Sequence, residues 1–146
     1  MYVKNEIIKD ELKELLGVNV YFDRILAFHT TFCVGGKAKY FITADTYHQL
    51  KSSLEILDEK HIPIFILGKG SNILISDKGF NGAIIKLGRD FNNIKINETV
   101  IQAGALVSLP QIVGICHKNS LKGISFAVGI PGSLGGAIIT NAGTKE

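Results

Sequence analysis

The hydrophobic positions of the chain follow two alternating spacings, and this alternation predicts an α+β fold. Residues 6–16 and 45–61 carry apolar side chains every three or four positions, a spacing typical of amphipathic helices. The second stripe is formed by Leu50, Leu54 and Leu57, and Asp45 is expected to cap the helix that carries it. Pro63 follows this helix and prevents it from continuing.

Short apolar runs separated by turn residues predict a strand-rich middle of the chain. The run 62–67 contains no charged residue and is expected to be a strand that is buried on both faces. Ser108 is expected to cap a further helix, which keeps Cys116 inward and ends near Asn119. The other expected strands are residues 39–42, 73–75, 83–87, 94–96 and 99–103.

The composition narrows the class of protein without identifying a ligand. The chain has 146 residues, of which 46% are hydrophobic, and this suits one globular domain or two small lobes with a shared core. A formal net charge of +3 without a basic run argues against nucleic-acid binding, and no apolar stretch approaches the roughly 20 residues that span a bilayer. Because the N-terminal segment is charged and the two cysteines lack disulfide or metal spacing, a cytoplasmic location without membrane insertion is expected.

Two glycine-rich segments carry the strongest chemical signal. Residues 68–72 (Gly-Lys-Gly-Ser-Asn) directly follow an apolar run, and residues 129–137 (Gly-Ile-Pro-Gly-Ser-Leu-Gly-Gly-Ala) lead into another expected helix. Glycine has no Cβ and takes positive φ readily, so such a loop can direct several N–H groups at one anion. A following helix adds the N–H groups of its N-terminus. Two loops of this kind in one small domain predict a ligand that contains a diphosphate.

Neither segment has the spacing of a standard phosphate motif. A P-loop requires four residues between its first glycine and a Gly-Lys pair that precedes Ser or Thr, so a nucleotide triphosphatase is a poor fit. In the dinucleotide-binding pattern G-x-G-x-x-G, Ile73 stands where the third glycine is needed, and a strand is expected to follow instead of a helix. Taken alone, residues 68–70 are equally compatible with an ordinary turn between strands.

Five motifs together resemble the UDP-N-acetylenolpyruvoylglucosamine reductases in order and spacing. They are residues 30–38 (Thr-Thr-Phe-Cys-Val-Gly-Gly-Lys-Ala), 66–74, 103–105, 129–137 and 141–143. The resemblance implies a two-lobed α+β FAD-binding domain of the vanillyl-alcohol-oxidase (p-cresol methylhydroxylase) type, with its C-terminal part missing. Residues 1–25 would form an N-terminal helical extension, 26–87 a first β-α-β lobe, and 88–146 the start of a second lobe.

The resemblance also implies an activity. Members of this family use FAD and NADPH to reduce the enolpyruvyl ether of a UDP-sugar, which gives UDP-N-acetylmuramate for peptidoglycan synthesis. The chain would be the FAD-binding portion of such an oxidoreductase, and the UDP-sugar would be held by a missing C-terminal domain. The arginine, serine and glutamate that the family uses in catalysis would lie in that missing portion. No catalytic residue is therefore assigned here, and the 146 residues alone are expected to be inactive.

By the same resemblance, the glycine-rich loops would hold the FAD pyrophosphate with their backbone N–H groups, and the helix that begins near Ser133 would offer its N-terminus. Gly35 and Gly36 are as compatible with a packed turn as with a flavin contact. The residues assigned to the cofactor are Gly68, Lys69, Gly70, Ser71, Asn72, Ile73, Ala103, Gly104, Gly129, Ile130, Pro131, Gly132, Ser133, Gly135, Gly136, Ala137, Asn141, Ala142 and Gly143.

Two positions depart from the family pattern and leave an alternative open. Cys33 stands where members commonly carry a basic residue, and residues 144–145 (Thr-Lys) stand where many members continue with Ala-Tyr. The alternative interpretation is a catalytically inactive, flavin-free scaffold or interaction module derived from the same fold, in which the glycines persist only as turns.

The histidines do not suggest a metal site. His29, His48 and His61 are scattered, and no pair lies four positions apart on one helix beside a carboxylate. Cys116 and His117 are adjacent, but neighbours on a helix point about 100° apart, so they do not form a nucleophile and its base. A structural role is expected for both.

Overall fold

The computed structural model describes residues 8, 10–14 and 20–143, and the α+β class is confirmed. Its strands are β1 (Val20–Ile25), β2 (Lys37–Ala44), β3 (Ile64–Leu67), β4 (Phe80–Leu87), β5 (Ile94–Asn97) and β6 (Val100–Ala103). Its α-helices are α1 (Tyr47–Glu59), α2 (Leu109–Lys118) and α3 (Leu134–Ile139). Short 3-10 turns occupy Leu26–His29, Arg89–Phe91 and Ser125–Ala127.

The main sheet has the strand order β1-β2-β4-β3. Strands β2, β4 and β3 are parallel, and β1 joins β2 antiparallel at one edge. Because side chains alternate between the two faces of a sheet, β2 and β4 supply a core to each face. One core contains Ile42 and Ile85 with Leu57 of α1, and the other contains Phe41 and Ile84 with no helix of its own. Strands β5 and β6 form a separate antiparallel pair.

Helix α1 begins at a capping box. The Thr46 hydroxyl accepts the N–H of Gln49 at 3.2 Å, and the Gln49 side chain accepts the N–H of Thr46 at 3.1 Å. The prediction that Asp45 caps this helix is therefore wrong. Thr46 followed by glutamine at the third helical position satisfies two N–H groups reciprocally, and the Asp45 carboxylate instead accepts the N–H of Arg89 at 3.2 Å.

Helix α2 confirms its sequence-based prediction. Ser108 is the N-cap and shares a second capping box with Gln111, while Pro110 lies in the first turn, where its missing N–H is harmless. Cys116 is 6% exposed and packs with Val107 in a third core, so its structural role is confirmed.

Two predictions about strands are wrong. Strand β1 was not predicted, although it pairs with β2 over most of its length; residues 20–25 were assigned to a helical extension. Residues 73–75 were expected to form a strand but have no regular structure. Both sides of β4, the next strand along the chain, are taken by β2 and β3, and residues 73–75 do not pair with either edge strand of the sheet. Ile73 and Ile75 instead pack against the second core from an extended loop.

Strand β3 is not buried on both faces as predicted. Phe65 and Ile66 are 41% and 49% exposed, whereas Leu67 is 2% exposed. The reason is topological, since β3 is an edge strand of the four-stranded sheet. The central position that was predicted for residues 62–67 is occupied by β4. An apolar edge strand is therefore available to line a ligand cleft.

The predicted N-terminal helix is covered only in part by the described residues. Residues 8 and 10–14 are helical, and Ile8 and Leu12 are buried in the core beneath α1, as the apolar stripe indicated. The Glu11 carboxylate lies 2.7 Å from the Lys60 ammonium, which links this segment to the end of α1. Residues 1–7, 9 and 15–19 lie outside the described part.

Tyr40 supplies a prediction about stability. Its side chain is fully buried, and its hydroxyl has no hydrogen-bond partner among the described residues. Burial without a partner raises the pKa of Tyr40. Tyr40→Phe is expected to increase the free energy of unfolding by about 1 kcal/mol, because an unsatisfied hydroxyl returns to water only on unfolding. Chemical denaturation at pH 7 measures the change.

The matched control is Tyr21→Phe, since Tyr21 is 43% exposed and its hydroxyl loses nothing on folding. A raised pKa in the folded state also means that the wild type loses stability as the pH rises above about 10, where the unfolded phenol ionises. Tyr40→Phe is expected to lack this alkaline component. A Tyr40→Phe protein that is less stable than Tyr21→Phe contradicts the prediction.

Candidate functional site

A cleft of about 750 Å³ brings the two glycine-rich segments together. It lies between the edge strand β3 and helix α3, and the loops 68–72 and 130–133 close one end. The Ser71 hydroxyl donates a hydrogen bond to the carbonyl oxygen of Pro131 at 3.4 Å. The lining residues are 64–73, 87, 105, 106, 130–133, 135–137, 139, 140 and 142.

The first glycine loop presents unsatisfied donors. Within the described part of the chain, none of the N–H groups of residues 69–72 donates a hydrogen bond, and the same is true of Gly132 and Ser133 in the second loop. The residues that carry these groups all line the cleft. A set of free backbone N–H groups from two facing loops is the donor arrangement that a phosphate or diphosphate requires.

Helix α3 does not offer its N-terminus as the sequence predicted. The N–H groups of residues 134 and 135 donate to the carbonyl oxygens of Val107 and Ala105 at 2.8 and 2.9 Å. The N–H of Gly136 donates to the hydroxyl of the N-cap, Ser133, at 3.3 Å. All three donors of the first turn are therefore used inside the protein, and the loops that precede the helix carry the free donors.

Fourteen of the nineteen residues assigned to the cofactor line the cleft, and five do not. Their contact with the cofactor stays a prediction. Those in the cleft are Gly68, Lys69, Gly70, Ser71, Asn72, Ile73, Ile130, Pro131, Gly132, Ser133, Gly135, Gly136, Ala137 and Ala142. Those outside it are Ala103, Gly104, Gly129, Asn141 and Gly143.

Gly104 has a different reason for being glycine. A Cβ at this position would overlap the backbone carbonyl of Phe91, and the Gly104 N–H donates to the carbonyl of Asn93 at 2.9 Å. Gly104 therefore packs the turn at the end of β6 and places the next two residues, Ala105 and Leu106, in the cleft wall. The sequence analysis had assigned residues 103 and 104 to the cofactor, whereas residues 105 and 106 line the cleft.

Gly70 is also required by packing. It has φ +69, and a Cβ would overlap the carbonyl oxygen of His29. The closest obstacle to a side chain at this position is thus protein backbone, so an aspartate at Gly70 would disrupt the loop whether or not an anion binds. Gly35 and Gly36, for which packing and flavin contact were both open, do not line the cleft.

The apolar wall of the cleft also escaped the sequence analysis. The apolar lining includes Phe65 and Ile66 of β3, whose side chains lie on opposite faces of the sheet, and Ile139 of α3, which is 87% exposed. The signal was present in the uncharged run 62–67, but this run was interpreted as interior. A cleft lined by exposed apolar residues and by polar loops suits a ligand with an apolar ring system and a charged group.

The cleft contains few charged side chains, so its attraction for an anion depends on backbone N–H groups. Lys69 is the one formally charged residue among the described residues that line it, and it is exposed. His29, directly behind Gly70, adds no cation at neutral pH, because burial lowers the pKa of its imidazole and the positive charges of Lys86 and Arg24 lower it further. An anion would be held mainly by N–H dipoles.

The described residues form neither a metal site nor a membrane-spanning helix. They contain no group of three or more His, Cys, Asp or Glu side chains that could hold a metal ion. No helix in the part of the chain that the structure covers is long and apolar enough to cross a membrane. Cys33 is exposed, with φ +54, and residues 144–146, which include the second departure from the family pattern, lie outside the described part.

Comparison with known proteins identifies the family of the chain. Residues 38–146 match a family described as FAD binding domain. UDP-N-acetylenolpyruvoylglucosamine reductase from Desulforamulus reducens is 44% identical over 136 residues, which cover 93% of this chain and 45% of that protein. The enzyme of the same name from Clostridioides difficile is 43% identical over 127 residues, which cover 86% and 41%. The chain thus spans less than half the length of these relatives.

Solved structures agree on the fold. The crystal structure of UDP-N-acetylenolpyruvylglucosamine reductase from Thermus caldophilus matches with a TM-score of 0.73 and 33% identity, over 86% of this chain and 43% of that chain. P-cresol methylhydroxylase matches with a TM-score of 0.54 and 20% identity, over 80% and 25%, and supports the fold alone. The predicted fold type and the resemblance to the FAD-binding part of the reductases are confirmed, and the chain belongs to the FAD-binding domain family.

Proposed function

We propose that the chain is the FAD-binding part of a cytoplasmic, NADPH-dependent UDP-N-acetylenolpyruvoylglucosamine reductase of peptidoglycan synthesis. One observation carries the proposal: two glycine loops meet at the Ser71–Pro131 hydrogen bond, line one cleft, and carry backbone N–H groups that have no partner among the described residues. The reductase activity, the UDP-sugar, the NADPH and a further substrate-binding domain are all part of the proposal, since the chain covers less than half of its relatives.

The chemistry of the cleft fits FAD. Its volume lies within the range of roughly 300–1,000 Å³ that is usual for cofactor and small-molecule sites. The N–H groups of residues 69–72 supply donors for the pyrophosphate, and Phe65 and Ile66 supply an apolar surface for the flavin ring. The match to the FAD-binding domain family does not favour the alternative of a flavin-free scaffold.

The chemistry that FAD would supply in this cleft is hydride transfer between NADPH and the enolpyruvyl group. The residues of this chain would bind and orient the FAD. The saturated product also needs a proton from a positioned acid, and within the described residues that line the cleft there is no carboxylic acid or histidine. We therefore place the proton donor outside these residues. We also propose that residues 26–87 form the first lobe of the FAD-binding domain and that residues 88–146 begin the second lobe.

Titration with FAD tests the proposal. Quenching of flavin fluorescence and an increase in melting temperature with FAD concentration are expected, because a ligand that binds only the folded state stabilises it by mass action. NADPH oxidation with UDP-N-acetylenolpyruvoylglucosamine and excess FAD is expected to stay at background for this chain. Absence of FAD from the full-length protein would overturn the proposal, and turnover by these 146 residues would show that the proton donor lies among them.

A further inference from the structure

Residues 26–36 form a closed turn, called here the support turn, behind the first glycine loop. The N–H groups of Leu26 and Ala27 donate to the carbonyl oxygens of residues 36 and 35, at 2.9 and 3.2 Å, and thereby join the two ends of the turn. The opposite side of the turn donates a hydrogen bond to the first glycine loop. The Thr31 N–H bonds to the carbonyl oxygen of Gly70 at 2.9 Å.

The backbone of the glycine loop is hydrogen-bonded to the support turn, and its Ser71 side chain to the second glycine loop. The Gly70 carbonyl is fixed by the support turn, and the Gly70 Cα lies against the carbonyl of His29, so that a Cβ would overlap it. A second attachment runs from the N–H of Gly36 to the carbonyl oxygen of Ser76, at 3.0 Å, beyond the loop. The Gly70 carbonyl is anchored in this way, whereas the N–H groups of residues 69–72, which line the cleft, have no partner among the described residues.

Thr30 determines the shape of the support turn where it meets Gly70. Its side chain is 7% exposed, and its hydroxyl donates to the carbonyl oxygen of Val34 at 3.1 Å. Its own carbonyl accepts the N–H of Cys33 at 3.2 Å, which closes a tight turn in which Cys33 has φ +54. Thr30 lines no part of the cleft and is next to the donor, Thr31.

We propose that Thr30 is a positioning residue for the cofactor diphosphate and acts through Thr31 and Gly70. This inference depends on the proposed FAD site. The Thr30 hydroxyl holds the support turn in the shape that presents the Thr31 N–H to the Gly70 carbonyl. The free N–H groups of the glycine loop are thereby kept at the spacing that an anion requires.

Thr30→Val tests this role. Thr30 has extended dihedral angles (φ −123°, ψ 149°), which a β-branched valine adopts without strain, so the substitution removes the hydroxyl and little else. We expect about fivefold weaker binding of FAD and of ADP, the effect of one hydrogen bond, and unchanged binding of riboflavin, which has no phosphate. Thr30→Ser keeps the hydroxyl and is expected to restore the affinity.

Thr46→Val is the matched control for stability. It removes the N-cap hydroxyl of α1, a helix with no residue in the cleft, and is expected to lower the melting temperature without changing the affinity for FAD. Equal affinities of Thr30→Val and Thr46→Val for FAD would overturn the proposal. If Thr30→Val does not fold, Thr30→Ala is judged by the same criterion.

Amide hydrogen exchange distinguishes this inference from the proposed function. Exchange at Thr31 in the ligand-free protein is expected to be faster in Thr30→Val than in Thr46→Val, because the Thr31 N–H loses its fixed acceptor. If the wild type binds neither FAD nor ADP, the proposed function is wrong. If FAD binds, faster exchange at Thr31 in Thr30→Val supports the positioning role, and equal exchange in the two variants overturns that role alone.

Discussion

Gly136→Asp is expected to weaken FAD binding by about 30-fold or more. Gly136 lines the cleft in the first turn of α3, and the nearest atom to an added Cβ is the Ser133 hydroxyl oxygen at 3.2 Å, which can move. A carboxylate would thus enter the cleft close to the expected diphosphate. Like charges a few ångströms apart in a partly buried site repel by roughly 2 kcal/mol or more, which corresponds to this loss. Fluorescence titration with FAD measures it.

Gly114→Asp is the matched control, because Gly114 is an exposed helical glycine with nothing within 4 Å of an added Cβ. It adds the same charge on α2, outside the cleft. Its affinity for FAD is expected to equal that of the wild type. An aspartate near a helix N-terminus is favourable for the helix, so Gly136→Asp is not expected to unfold. Equal FAD affinities for the two variants would contradict a diphosphate in this cleft.

Gly70→Ala is expected to destabilise the fold by about 3 kcal/mol or more, with a decrease in melting temperature of about 10 °C. Two penalties add. A left-handed conformation costs an alanine about 1–2 kcal/mol, and the methyl group must also displace the backbone carbonyl of His29. The effect is expected in the absence of FAD, and thermal unfolding of the ligand-free protein measures it.

Gly129→Ala separates the two penalties. Gly129 has φ +81, but an added Cβ meets nothing within 4 Å. Only the conformational cost applies, and a loss of about 1–2 kcal/mol is expected. Similar melting temperatures for Gly70→Ala and Gly129→Ala would mean that the His29 carbonyl can move aside. The support turn would then not constrain the glycine loop.

The ligand class could be predicted from the sequence, because it depends on the spacing of glycines within short segments of the chain. Glycines at 68, 70 and 132 mark loops in which backbone donors can face one anion, and the structure brings these loops to one cleft. Helix α2 was predictable for the same reason, since Ser108 and Gln111 are only three residues apart. Features that depend on neighbours in the chain were therefore within reach.

Features that depend on partners distant in sequence could not be predicted in this way. Strand β1 has mixed polarity, and only its pairing with β2 makes it a strand. The run 62–67 has the composition of a central strand, but its place at the edge follows from β4, which comes later in the chain. The donors of α3 are used by carbonyl groups of residues 105 and 107, and no local pattern around Ser133 reveals this.

The position of β3 has a consequence for the protein without its ligand. In the described residues, β3 pairs with β4 on one side only, and its other edge borders the cleft beside the exposed Phe65 and Ile66. A short, uncharged, apolar edge strand is a template for the strand of another molecule, which is how aggregation begins in many sheet proteins. Occupation of the cleft would cover this surface, so cofactor loading and colloidal solubility are linked through one strand.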